Sequence, residues 1–287
     1  MKNFVTRAVS GILFVAIMVV GMSFNAMAMM FLFALITGMT TWEYCGLVNS
    51  RKRVSVNRFI CTAAGVYLFL AVAGFCSELT PSAVFIPYLL TVVYLFISEL
   101  YLRQKDPINN WAYTMLSQMY IALPFSTINM LSFRADPSTS EVGYVWILPL
   151  SVFIFLWLND TGAYCTGSLL GRHKLFPRIS PGKTWEGSIG GAVLVLIAAF
   201  VMSRIYGVLG WGDNHPLPGA VQWMGLGLTV VVFGTWGDLV ESLFKRTLGI
   251  KDSGNILPGH GGMLDRFDSS LMALPAAVVY LYSLTLL

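Results

Sequence analysis

Apolar runs about as long as a bilayer's hydrocarbon core is thick follow one another along nearly the whole chain, and this recurrence restricts the fold more than any other feature. A helix satisfies its own backbone hydrogen bonds, so it can cross lipid, using about 20 apolar residues per crossing. Nine such helices are predicted, over residues 8–24, 26–43, 57–76, 82–102, 111–133, 144–164, 188–207, 220–241 and 270–287. With 56% of residues hydrophobic and 11% charged, little is left for a soluble domain. The predicted fold class is all-α, a polytopic integral membrane protein with about nine transmembrane helices. It forms a single membrane domain over 1–287, in which 1–140 are mainly scaffold helices and 141–287 hold the working part. Residues 1–28 imitate a signal peptide, with Lys2 and Arg7 ahead of an apolar stretch and "AMA" after it. The stretch is long and further apolar runs follow at once, so it is read as an uncleaved first helix.

Loop charges test that count. The loops at even-numbered positions, counting the N-terminal segment as zero, hold sixteen of the eighteen lysines and arginines; the odd ones hold only Arg134 and Arg204. A miscounted helix would scramble the alternation. By the positive-inside rule the even loops are cytoplasmic, which puts the N-terminus inside and the C-terminus outside.

Several function classes drop out early. The four cysteines form no CxxC pair, so a disulfide framework or structural zinc site is not expected. A net charge of +4 in a membrane chain does not signal nucleic acid, and no nucleic-acid partner is expected. "PGKT" suggests a phosphate-binding P-loop, but Pro177 stands where that pattern needs glycine, and no strand precedes it.

The polar residues gather between 155 and 270. Asp160 lies near the cytoplasmic end of the sixth helix. Asp238, Glu241, Ser242 and Lys245 are spaced i, i+3, i+4, i+7 and so share a face of the eighth. Asp265, Asp268 and Ser269 are expected to share a face where the ninth begins. An acid in a membrane helix costs several kcal/mol unless paired or hydrated. One reading pairs these acids internally with Lys245, Arg246 and Arg266. The other collects them round Mg²⁺, which takes carboxylates together with water and substrate phosphates. Two loops rich in glycine and base, around Lys183 and around Lys251, suit phosphate. The bases Arg51, Lys52 and Arg53 are read instead as contacts to anionic lipid heads.

The stretch from Ser242 to Ser269, "SLFKRTLGIKDSGNILPGHGGMLDRFDS", resembles the signature of the phosphatidate cytidylyltransferase (CDP-diacylglycerol synthase) family. The likeness rests on Ser242, Lys245, Arg246, Lys251, Asp252, His260, Gly261, Gly262, Asp265, Arg266 and Asp268. "NDTGAY", "SPGKTWEG" and "GDLVES" upstream are similar to other recurrent family stretches, and "TTWEY" (Thr40 to Tyr44) is the main likeness in the N-terminal helices. The resemblance implies that CTP and phosphatidate give CDP-diacylglycerol and pyrophosphate, with Mg²⁺ and room for a second cation. It also implies a multi-pass enzyme of a bacterial-type plasma (inner) membrane, with its active site on the cytoplasmic side and a homodimer among its arrangements. The lipid phosphate is already anionic at neutral pH, so no side chain need be activated as nucleophile. Asp265 and Asp238 are then the leading metal ligands, followed by Asp160 and Asp268. Lys245, Arg246, Lys251 and Arg266 contact phosphates, helped by Ser180 and Lys183. Ser242, Gly261 and Gly262 belong to the substrate-binding set. Asp252 and His260 shape the signature loop, and His260 can donate to a phosphate.

Three other readings compete. A secondary transporter would carry its acids near the membrane midplane on two related halves. A non-catalytic lipid-binding relative would lack part of the signature. A sibling nucleotidyltransferase would act on another lipid phosphate, and the sequence separates that case poorly.

Overall fold

The computed structural model describes residues 2–135, 140–208, 219–254 and 261–285. The chain is mostly helical, and its contacts divide it into two compact units interleaved in sequence: 1–130 with 247–267, and 131–246 with 268–287.

The first unit opens with α1 (Lys2–Phe24) and α2 (Ala26–Val48), separated by a single residue. Asn25 supplies the break: its extended backbone leaves the helix, and its side chain accepts from Ala28 N at 2.8 Å. Asn57 caps α3 (Arg58–Cys76) in the same way, accepting from Ile60 N at 3.0 Å. Arg58 lies over the Trp42 ring, 4.0 Å from its centroid, and its Nε donates to Trp42 O at 2.7 Å. This base therefore helps to dock α3 on α2. A 3₁₀ turn at Ser82–Phe85 leads into α4 (Ile86–Leu102), which exposes Leu89, Leu90 and Val93, as a face toward acyl chains would. The predicted fifth helix is broken into α5 (Pro107–Ser117), a π turn (Gln118–Ala122), α6 (Leu123–Ser126) and α7 (Ile128–Ser132). Pro124 has no N–H for the helix ladder, and Gln118 turns its amide inward to donate to Cys61 O at 3.0 Å. The core of the unit holds Met18, Met22, Met29, Phe33, Phe69 and Phe125, all fully buried. The last helix of the unit, α11 (Leu264–Phe267), is fastened here, because Phe267 meets Phe125 edge-on at 5.4 Å and Phe14 at 5.7 Å.

The second unit begins with a short hairpin, β1 (Phe133–Ala135) with β2 (Val142–Tyr144), and then α8 (Ile147–Leu170). A second antiparallel hairpin, β3 (Lys174–Phe176) with β4 (Ser180–Thr184), turns the chain back into α9 (Trp185–Val208). Helices α8 and α9 meet backbone to backbone. A Cβ added to Gly162 would come within 2.9 Å of Gly191 Cα, so only glycine admits this approach. Helices α10 (Ala220–Leu248) and α12 (Ser270–Thr285) complete the unit, with Trp223 of α10 packed edge-on against Phe155 at 6.3 Å.

Among the described residues seven helices are long and apolar enough to cross a membrane: Ala26–Val48, Arg58–Cys76, Ser82–Leu102, Ile147–Leu170, Trp185–Ile205, Ala220–Leu248 and Leu264–Leu284. This is a multi-pass membrane chain. The other two predicted spans have helical counterparts, one with an apolar run of Val9–Phe24 and the other broken at the π turn. Two predicted boundaries move substantially. Helix α8 continues to Leu170, and α10 continues past the predicted end at 241 to Leu248, through Lys245 and Arg246. The sequence predicts no strand before α9; β3 and β4 are three and five residues long, too short to show a period-two pattern.

Candidate active site

In the second unit the polar residues surround a cavity of about 470 Å³. Asp160 and Asn159 reach its wall from α8, Ser180, Lys183 and Thr184 from β4, and Thr235 from α10. The hairpin is held in place by Glu186 at the start of α9. Its carboxylate accepts from the backbone N–H of Arg172 at 3.1 Å, and from the N–H of His173 and the His173 ring. Lys183 is thereby directed at Asp238, and its Nζ lies 2.6 Å from Oδ2. The other oxygen of Asp238 accepts from Ser242 Oγ at 3.1 Å, one helical turn on. A further turn along α10, Lys245 Nζ lies 2.6 Å from Glu241, whose side chain is wholly buried. The predicted shared face of Asp238, Glu241, Ser242 and Lys245 is thus an observed network. Lys245 is engaged in an internal ion pair of the kind that the sequence left open as one reading, whereas the partner of Asp238 is Lys183, which that reading did not name.

Asp268 belongs to this neighbourhood. The carboxylates of Asp238 and Asp160 and the ammonium of Lys245 all lie close enough to act on it electrostatically. Its backbone O would stand 2.6 Å from a Cβ at Gly237, so α10 presses directly on this turn. The shared helical face predicted for Asp265, Asp268 and Ser269 is corrected here. Helix α11 ends at Phe267, Asp268 and Ser269 form a turn, and α12 starts at Ser270. Asp268 Oδ1 accepts from Ser269 N at 2.5 Å, and a carboxylate that takes up the next backbone donor ends one helix and starts another. Arg246 is exposed at the end of α10.

The remaining signature residues lie in the first unit, where Asp265 is the centre of a hydrogen-bonded knot. Its Oδ2 accepts from Ser253 N at 2.8 Å and Gly262 N at 2.8 Å, and Ser253 Oγ lies 2.9 Å from it. Gly261 has φ +83°, and a Cβ there would come within 2.5 Å of Asp265 Oδ2. Arg266 follows on α11, and Lys251 and Asp252 are exposed. His260 lies outside the described residues.

The sequence singles out neither Glu43 nor Ser253. Glu43 lies on α2, 7% exposed, and accepts from Ser253 Oγ, from Met263 N at 2.9 Å and from Leu264 N at 3.1 Å. Its signal was an acid alone in an apolar helix, inside the "TTWEY" stretch.

Among the described residues no three His, Cys, Asp or Glu side chains are grouped as a ready-made metal cage. The donors round the cavity still suit a hard cation. Asp160, Asn159, Ser180, Thr184 and Thr235 offer oxygen, with no thiol or imidazole among them. Mg²⁺ keeps several waters and takes one or two carboxylates with substrate phosphates, so it does not require a closed protein cage.

Three comparisons bear on this arrangement. The model of a family described as "Cytidylyltransferase family" matches residues 5–284. A protein of Haemophilus influenzae named phosphatidate cytidylyltransferase is 33% identical over 260 residues, covering 85% of this chain and 88% of its own. Proteins of the same name from Staphylococcus aureus and Staphylococcus haemolyticus are 43% and 45% identical over 166 residues, covering 57% of this chain and 56% of theirs. With the family model matching nearly end to end, the chain belongs to the cytidylyltransferase family.

Proposed function

We propose that the chain is a phosphatidate cytidylyltransferase, a nucleotidyltransferase of phospholipid biosynthesis that converts CTP and phosphatidate to CDP-diacylglycerol and pyrophosphate. The observation that carries this reading is the likeness, over 85% of the chain, to the Haemophilus influenzae protein of that name. The geometry supports it with a site suited to an amphiphile. The polar cavity shares Ser188 and Thr235 with an apolar groove of about 660 Å³, lined by Phe176, Trp185, Trp236 and Leu239 among others. A headgroup phosphate fits the first space and an acyl chain the second.

In the reaction an oxygen of the lipid phosphate attacks the α-phosphorus of CTP. The bond from that phosphorus to the bridging oxygen breaks, and its electron pair leaves with pyrophosphate. The nucleophile is already anionic, so the protein's task is to neutralise, align and exclude water. Lys183 and Lys245 are held by Asp238 and Glu241. An ammonium has three donors, so each can keep its carboxylate and still bind a phosphate oxygen. Arg246, Lys251 and Arg266 add charge along the signature, and Ser180 and Ser242 add hydroxyls. In the second unit Asp238 is the leading residue that would hold Mg²⁺, with Asp160 and Asp268 behind it; Asp265, the other leading ligand that the resemblance implies, lies in the first unit. When bound, the ion neutralises triphosphate charge and assists the leaving group.

The same reading has nine crossings, the N-terminus inside, and the site at the cytoplasmic face of a bacterial plasma membrane. It is supported by the sixteen-to-two division of basic residues among the loops. The test is an assay of the purified full chain in detergent with radiolabelled CTP and a panel of lipid phosphates. Labelled CDP-diacylglycerol and pyrophosphate are expected with phosphatidate, with the activity lost on chelation by EDTA and restored by Mg²⁺. A different preferred lipid phosphate would make the chain a sibling enzyme, and no turnover on any of them would refute the reading.

A further inference from the structure

Glu43 is a buried carboxylate on an apolar helix, and Ser253, Met263 and Leu264, which donate to it, each lie more than 200 residues away in sequence. Such a group is costly in lipid unless donors surround it, and here the described donors come from the two flanks of one segment. Ser253 Oγ donates to Oε1 from one flank. Leu264 N at 3.1 Å and Met263 N at 2.9 Å donate to Oε1 and Oε2 from the other. The segment leaves room for this carboxylate at its glycines. A Cβ on Gly262 would stand 2.1 Å from Glu43 Oε1, and one on Gly254 would stand 2.7 Å from Oε2. The backbone N–H groups of Ser253 and Gly262 donate to Asp265 Oδ2, and Ser253 Oγ accepts from Asp265 N at 3.3 Å. Each of these contacts to Asp265 is therefore one residue or less from a contact to Glu43. Gly262, expected to let backbone approach phosphate, here makes room for a glutamate.

We propose that Glu43 is the positioning residue for Asp265: from the scaffold helix α2 it ties Ser253 to Met263 and Leu264 and so sets the direction of the Asp265 carboxylate. The proposal rests on the reading of Asp265 as part of the nucleotidyl-transfer machinery. It makes the N-terminal helices part of the site's construction, although they carry none of the signature.

The test compares wild type, Glu43→Gln, Glu43→Asp and Ser253→Ala as purified full chains in detergent. Glutamine keeps the size but turns an NH₂ toward a donor, so one side of the clamp opens. The expected result is a kcat lowered about tenfold to a hundredfold. KM for CTP should move less than about threefold, since an interaction felt mainly in the transition state is lost. Glu43→Asp, with both oxygens but one methylene fewer, should recover part of kcat. Losses in Glu43→Gln and Ser253→Ala should be non-additive in the double variant, because both open one clamp. Independently of turnover, amide hydrogen exchange of peptides covering 261–267 should quicken in Glu43→Gln while peptides of α8 and α9 stay as in wild type. Exchange at 261–267 unchanged from wild type, or a loss confined to KM, would overturn the proposal. Ser253→Ala leaves α2 intact and carries the same test if the Glu43 variants fail to fold. A wild-type chain inactive with every lipid phosphate would refute the functional reading, and the exchange measurement would still decide the clamp.

Discussion

Asp238 shows what one side chain does at this site. Its two oxygens are taken by Lys183 at 2.6 Å and Ser242 at 3.1 Å, so its charge holds together a hairpin residue and a helix residue. Asp238→Asn removes the charge, keeps the shape and leaves Lys183 without its counter-charge beside the cavity. Turnover should fall by about two orders of magnitude or more, the scale of losing a preorganised charge. The measurement is the initial rate at saturating CTP and phosphatidate in detergent, with the melting temperature recorded alongside. Retention of most of the rate would remove Asp238 from the machinery. At this scale much of the site was legible. Acids, a hydroxyl and a base at helical spacing predict one shared face, and along it Asp238 meets Ser242 and Glu241 meets Lys245. Glu43 was not legible, because its partners are Ser253, Met263 and Leu264, and no local periodicity encodes a contact across more than 200 residues.

Among the elements, the long helices announced themselves through apolar length, and the short ones did not. The π turn at Gln118–Ala122 and the hairpin of β3 and β4 are set by tertiary partners, Cys61 O for the one and Glu186 for the other. Helix packing is also set by a few glycines. Gly237 of α10 faces the turn at Asp268, where an added Cβ would come within 2.6 Å of Asp268 O and 3.0 Å of Ser269 O. Backbone atoms cannot swing aside as a side-chain end can. Gly237→Val should therefore lower stability by about 1–3 kcal/mol or more, outweighing the few tenths gained in helix propensity. It should also reduce turnover, because the turn carries Asp268. Gly182 lies on the wall of the polar cavity with nothing within 4 Å of an added Cβ, so Gly182→Ala should change stability by less than about 0.5 kcal/mol. Thermal unfolding of both variants in one detergent measures the difference. Equal melting temperatures would mean that the approach of α10 to the turn is not tight.

For the molecule as a whole, orientation in the membrane follows from where the bases lie. Sixteen of eighteen lysines and arginines fall in alternate loops of a nine-helix reading, and four of them, Arg172, Lys174, Arg178 and Lys183, fall in one loop with Ser180. Lys183 of that loop lines the polar cavity, so the proposed reaction with CTP and the placement of charge ask for the same side. His173 is an accessible reporter for that side, with 79% of its side chain exposed. In a variant whose four cysteines are replaced by serine or alanine, His173→Cys should react with a membrane-impermeant maleimide only in inverted vesicles, where the cytoplasmic face is outward. A cysteine added after Leu287 should react only in right-side-out cells if, as proposed, nine crossings separate it from a cytoplasmic N-terminus. Labelling of both positions from the same side would leave an even number of crossings between the β3–β4 hairpin and the C-terminus. That result would remove one of the three helices now counted after it, α9, α10 or the α11–α12 span. Labelling of His173→Cys from outside would invert the chain and place the cavity away from the nucleotide it is proposed to use.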